Sequence, residues 1–106
     1  MKGYDLDGCI TIGIKPERDG VIITGRSYER APETYEYLRS KGIFNVVYFN
    51  PVEYFEQTLE NSAKWKAKII EIFKIEEFIE DDPRQAKIIK SLVEVKIKEP
   101  YVIKTC

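Results

Sequence analysis

Short apolar runs alternate with stretches of helical periodicity along this chain, and that alternation narrows the fold more than any other feature. Val21, Ile22 and Ile23 form a continuous apolar run, the pattern of a strand buried on both faces. Residues 28–41 then read as a helix, with Ala31, Tyr35 and Leu38 on one face, Pro32 near its start and Gly42 as its stop. Residues 44–49, rich in Val and aromatics, predict a second core strand. Asn50, Pro51 and Glu53 look like a helix entry, with Tyr54, Phe55 and Leu59 behind them. Ser62 is expected to cap a further helix whose Trp65, Ile69, Ile72 and Phe73 face inward. Phe78 and Ile79 make a brief strand, and Ile88, Ile89 and Leu92 mark a last helix. Val93, Val95 and Ile97 alternate with charged residues as an edge strand, and residues 99–106 form a tail. Near the start, Ile10, Ile12 and Ile14 alternate with Thr11 and Gly13, which predicts a small β-flap over residues 10–20. Strand–helix alternation of this kind implies an α/β fold, a three-layer α/β/α sandwich around a mostly parallel, Rossmann-like sheet.

Length and composition bound the rest. The 106 residues suffice for one small domain over positions 1–106, and 43% hydrophobic content can build a modest core. A formal net charge of −1 projects no global field toward nucleic acid or an anionic membrane. Histidine is absent, so acid–base chemistry near neutral pH falls to carboxylates, Lys, Tyr or Cys. The two cysteines, Cys9 and Cys106, form neither a CxxC nor a disulfide framework, which fits a reducing compartment. Cys9 reads as a small buried side chain rather than a nucleophile. Charged residues at Lys2, Asp5 and Asp7 argue against a signal peptide, and no apolar run nears the ~20 residues of a membrane helix. A soluble, cytoplasmic protein without a membrane partner is expected.

The chemistry concentrates at strand ends. Asp5-Leu6-Asp7-Gly8 follows the first residues able to form a strand. Ligands of open α/β sheets bind outside the carboxyl ends of strands. Two carboxylates alternating with an apolar residue can converge on one divalent cation, and hard oxygen ligands suit Mg²⁺. Alone, such a string is as readily a solvated turn. It is not an EF-hand loop, because the sixth and twelfth positions from Asp5 hold Ile10 and Pro16 instead of Gly and Glu. Thr24-Gly25-Arg26 closes the second strand, where a hydroxyl, backbone N–H groups and a guanidinium could cradle a phosphate. The competing reading is a strand cap with a surface Arg. Arg30 and the lysines 64, 66 and 68 read singly as solvated helix residues, at least two of the three lysines among them. Glu80-Asp81-Asp82 is a second acidic cluster after a strand, able to meet the first at one cleft.

In this order the features resemble the haloacid dehalogenase (HAD) superfamily of phosphohydrolases over nearly the whole chain. The four matching segments are Asp5-Leu6-Asp7-Gly8, Ile22-Ile23-Thr24-Gly25-Arg26, Lys66, and Ile79-Glu80-Asp81. Lys66 fits better than Lys64 by its context and its distance to the acidic pair, and Asp81 better than Asp82 because it follows the strand directly. Cys9 stands where Thr or Val is common. The resemblance implies a single HAD-like core whose Asp5 attacks phosphorus to form an aspartyl-phosphate. Asp7 would then protonate the leaving oxygen and later take a proton from water. It also implies Mg²⁺ held by Asp5, the main-chain carbonyl of Asp7 and Asp81, with Thr24 and Lys66 on the transferring phosphoryl oxygens. Neither gap between the segments has room for a cap domain, and capless members tend to accept bulky or macromolecular substrates. The Thr24-Gly25-Arg26 segment also looks like that of polynucleotide 3′-phosphatases, which implies a nucleotide or nucleic-acid end as substrate, with Gly25 and Arg26 near its phosphate. A phospho-acceptor or a non-catalytic binding domain is the alternative.

Overall fold

The computed structural model describes residues 1–51 and 58–100. Five strands, all parallel, form one sheet: β1 (Lys2–Tyr4), β2 (Val21–Ser27), β3 (Val47–Asn50), β4 (Glu77–Ile79) and β5 (Lys96–Lys98). Their order is β3-β2-β1-β4-β5. Among the described residues three α-helices accompany them: α1 (Ala31–Ser40), α2 (Leu59–Phe73) and α3 (Pro83–Leu92). The α/β class and the parallel sheet are therefore as the sequence predicts. Among the described residues no helix is long and apolar enough to cross a membrane.

Strand periodicity sorts the core into two clusters. Ile22 and Ile79 pack with Leu38 of α1, Leu6 and Phe49, whereas Val21, Ile23 and Phe78 pack with Ala63, Ile69 and Ile70 of α2 and Ile89 of α3. Neighbouring residues on one strand thus enter opposite clusters, as a pleated strand requires. This is why β2 and β4 read as continuous apolar runs.

Order in space differs from order in sequence at one place. From β1 the chain steps to β2 and β3 on one side, then crosses back to β4 and β5 on the other. β1 is the strand at which the direction reverses, and the crevice beyond the carboxyl ends there is where such sheets bind ligands. The Asp5 N–H donates to the Ile79 carbonyl at 3.0 Å, so the β1–β4 pairing carries both acidic turns to the same edge.

Several local expectations are corrected. The β-flap over residues 10–20 is absent: Ile10–Ile12 is a 3-10 turn, and Leu6 O accepts from both Cys9 and Thr11 N–H groups. Local carbonyls satisfy this backbone, and only Ile10 of the three isoleucines is buried. The helix expected over 28–41 divides into a 3-10 turn at Tyr28–Arg30 and α1 proper. The second core strand starts later than residue 44, leaving Phe44 79% exposed. α2 starts earlier than expected: Thr58, not Ser62, is its cap, its side chain accepting from Asn61 N–H at 3.0 Å. That phase buries Ile70 and leaves Ile72 and Phe73 outside the core. Val93 and Val95 precede β5 instead of belonging to it, although both pack on the second cluster. The helix entry expected after Asn50 and the end of the tail lie outside the described residues.

Candidate functional site

Turn chemistry opens the site. After β1 the chain passes through Asp5, Leu6 and Asp7 to Gly8, whose φ of +81° favours glycine. A Cβ at Gly8 would collide with the Asp81 carboxylate, so Asp81 lies against bare backbone. Asp81 leaves the end of β4, and α3 starts two residues on. Asp82 caps that helix, accepting from Arg84 N–H at 2.9 Å, with Pro83 in the first turn. The cap directs Asp81 away from the helix and toward the first turn.

The two turns meet at a cleft of about 290 Å³. Of the residues singled out in the sequence, Asp5, Asp7, Gly25, Arg26, Lys66 and Asp81 line it. Thr24 does not line it. Thr24 is buried at the end of the apolar part of β2, and its Oγ1 accepts from Arg26 N–H at 3.1 Å. Asp5, Cys9 and Asp81 each offer one ligand atom, and these three atoms lie within 4.8 Å of one another.

Lys66 is the most buried cation lining the cleft. It sits in α2 with its side chain 3% exposed, whereas Lys64 and Lys68 are exposed, so the three lysines do divide one to two. Its Nζ donates to Glu80 Oε2 at 2.8 Å and to Gln85 Oε1 at 2.7 Å, and lies 3.2 Å from Asp5 Oδ1. One ammonium thus faces two buried carboxylates. Burial pushes the Asp5 carboxyl up to about 9, with Glu80 adding to the shift and Lys66 opposing it. Glu80 is raised for the same reason, by burial against the pull of Lys66. Burial works against the Lys66 charge, but Asp5 and Glu80 outweigh it and hold the ammonium above its ordinary value.

The outer wall is a second ion pair. Arg26 grips Asp7 with two bonds, Nε to Oδ2 at 2.9 Å and Nη2 to Oδ1 at 2.6 Å, and its Nη1 donates to Thr34 Oγ1 at 3.0 Å. Hydrogen bonding from Arg26 holds Asp7 below the usual carboxylate range. Arg30, which also lines the cleft, pairs with Glu33 at 2.6 Å.

The donor set fits a hard divalent cation better than a soft one. Cys9 is fully buried, its thiol donates to the Ile79 carbonyl at 3.6 Å, and burial among carboxylates strongly favours its protonated form. That leaves two carboxylates from separate turns converging on one point, an arrangement that costs energy unless a cation or proton stands between them.

The pairing of Lys66 with Glu80 and Gln85 escapes a reading by sequence. Glu80 is singled out in the sequence only as part of an acidic cluster, with no role on Lys66, yet it is 1% exposed and bonded to that ammonium. Its position directly after Ile79, inheriting the buried register of β4, is the signal that could have found it. Gln85 carries no such signal.

Compared with protein-family models, curated proteins and solved structures, the chain matches none.

Proposed function

We propose that the chain is a Mg²⁺-dependent phosphohydrolase of the HAD type, working through an aspartyl-phosphate on Asp5. The two core clusters are then the two sides of a three-layer α/β/α sandwich, with no cap domain among the described residues. One observation carries the reading: carboxylates from turns far apart in sequence converge at the carboxyl edge of a parallel sheet, with a buried lysine 3.2 Å from one of them.

Asp5, Asp81 and the main-chain carbonyl of Asp7 would hold the ion. When bound it would offset the charge of a phosphate dianion, which otherwise repels an approaching carboxylate. Asp5 attacks phosphorus in line, a P–O bond to the leaving group breaks, and Asp7 supplies the proton that the departing oxygen takes. Water then attacks the acyl phosphate with Asp7 accepting its proton, which restores Asp5 and releases phosphate. The covalent relay divides one difficult displacement into two easier ones. Lys66 orients a phosphoryl oxygen, whereas Thr24, buried outside the lining of the cleft, acts through Arg26, whose N–H donates to its Oγ1. Asp7 is ionised and engaged by Arg26, so it serves as an acid only once Arg26 turns to another anion and Asp7 has taken up a proton from water. A nucleotide or nucleic-acid end supplies such an anion beside the scissile phosphate.

The Arg26–Asp7 grip also favours a second reading, a phospho-acceptor or binding domain in which Asp7 never leaves its partner. Turnover separates the two. With Mg²⁺, p-nitrophenyl phosphate and a panel of nucleotides, sugar phosphates and 3′-phosphorylated DNA should release phosphate repeatedly, and Asp5→Asn should abolish release. A single labelling event without release indicates the acceptor. Neither labelling nor release across the panel removes the phosphohydrolase reading.

A further inference from the structure

The Lys66 ammonium has three N–H bonds, and three acceptors surround it: Glu80 Oε2, Gln85 Oε1 and Asp5 Oδ1. With its side chain 3% exposed, no face is left for an incoming oxygen. A ligand oxygen can reach this ammonium only by displacing one of the three.

The acceptors differ in how firmly they hold. Glu80 is a carboxyl partner at 2.8 Å with its side chain 1% exposed, and turning it away would leave it buried without its donor. Asp5 is held in place by Leu6 N–H, which donates to its Oδ1 at 2.9 Å, and it too is buried. Gln85 is neutral and half-buried, stands in the first turn of α3, and lines the cleft. Its side chain can turn into the cleft and bond to water. Gln85 is therefore the acceptor that yields.

We propose that the Gln85 carboxamide is an internal competitor that occupies the place of a phosphoryl oxygen on Lys66, so that anion affinity is set by the exchange of one for the other. This inference rests on the phosphohydrolase reading for the identity of the anion. It assigns Gln85 a role opposite to that of an ordinary binding residue: removing its acceptor strengthens ligand binding.

The experiment is calorimetric titration of inorganic phosphate into the full chain with Mg²⁺, for the native sequence, Gln85→Met and Gln85→Glu. Methionine keeps the length and removes the acceptor, and phosphate Kd should fall about 3–10-fold, since a water will take up part of the vacated bond. Glutamate adds a charged acceptor and should weaken phosphate about tenfold or more. In turnover, Gln85→Met should lower KM by the same factor as Kd while kcat changes less than twofold. A thermal melt checks each variant, and Gln85→Ala carries the same expectation should methionine not be accommodated. Phosphate binding that is unchanged or weaker in Gln85→Met overturns the proposal alone, as does tight binding in Gln85→Glu. A native chain that binds no phosphate overturns it together with the phosphohydrolase reading.

Discussion

At the scale of single residues, the cleft is governed by a charge imbalance. Lys66 is one positive charge between Asp5 and Glu80, all three buried, so full ionisation leaves the trio at a net −1 in a poorly solvated place. Asp5 takes up the strain, with its carboxyl pushed up to about 9 from 3.8. The sign follows. A group whose pKa rises on folding stabilises most below its unfolded value, and that contribution drains away as pH climbs toward the folded one. The metal-free chain should therefore lose stability from this group between about pH 4 and pH 9. Asp5→Asn removes the surplus charge, flattens that slope and raises the melting temperature at pH 8. Each 1 kcal/mol gained is worth about 4–8 °C in a domain near this size. Melts of both proteins without divalent ions, across that pH range, check it. A variant that melts lower than the native chain at pH 8 contradicts the charge count.

Among the elements, the turn between β4 and α3 positions the most chemistry with the fewest residues. Glu80 continues the burial of the strand, Asp81 turns to the cleft, Asp82 caps the helix and Gln85 reaches back from its first turn. Loss of the cap frees two donors at the helix start, Arg84 N–H among them, at a cost of about 1 kcal/mol. Asp82→Ala should lower the urea midpoint accordingly, and Asp82→Asn should recover most of the loss. Arg84 holds Asp82 below its ordinary range, so the capping contribution is present above about pH 4 and fades as the pH drops below it. An alanine variant as stable as the native chain removes the cap from the account of how Gln85 is placed.

Here the reach of sequence reading is plain. The ends of β1 and β4 were legible because apolar runs stop where carboxylates begin, and parallel pairing brings such ends to one edge, whereas β2 runs on through Thr24-Gly25-Arg26 to Ser27, past the end of its apolar run. The phase of α2 was harder. Asn61 and Ser62 look like a break, but Thr58 supplies the cap and the helix runs through them. Ile10, Ile12 and Ile14 suggest a strand because alternation does not reveal whether a partner strand exists. Glu80 and Gln85 join the site through Lys66, a tertiary contact that no local pattern announces.

For the molecule as a whole, the crossing from β3 back to β4 sets the two acidic turns on different halves of the chain. They adjoin along β1 and β4, a ladder of only three registered pairs extended by the Asp5–Ile79 bond. An ion shared by Asp5 and Asp81 would act as a clasp across that seam, holding shut the place where early and late segments come together. Amide exchange at Asp5 should slow on adding Mg²⁺, and the slowing should vanish in Asp81→Asn. Equal exchange with and without the ion would mean that nothing is clasped. Were the two carboxylates so bridged, taking the ion away would loosen β1 against β4 first, along the edge where the cleft lies.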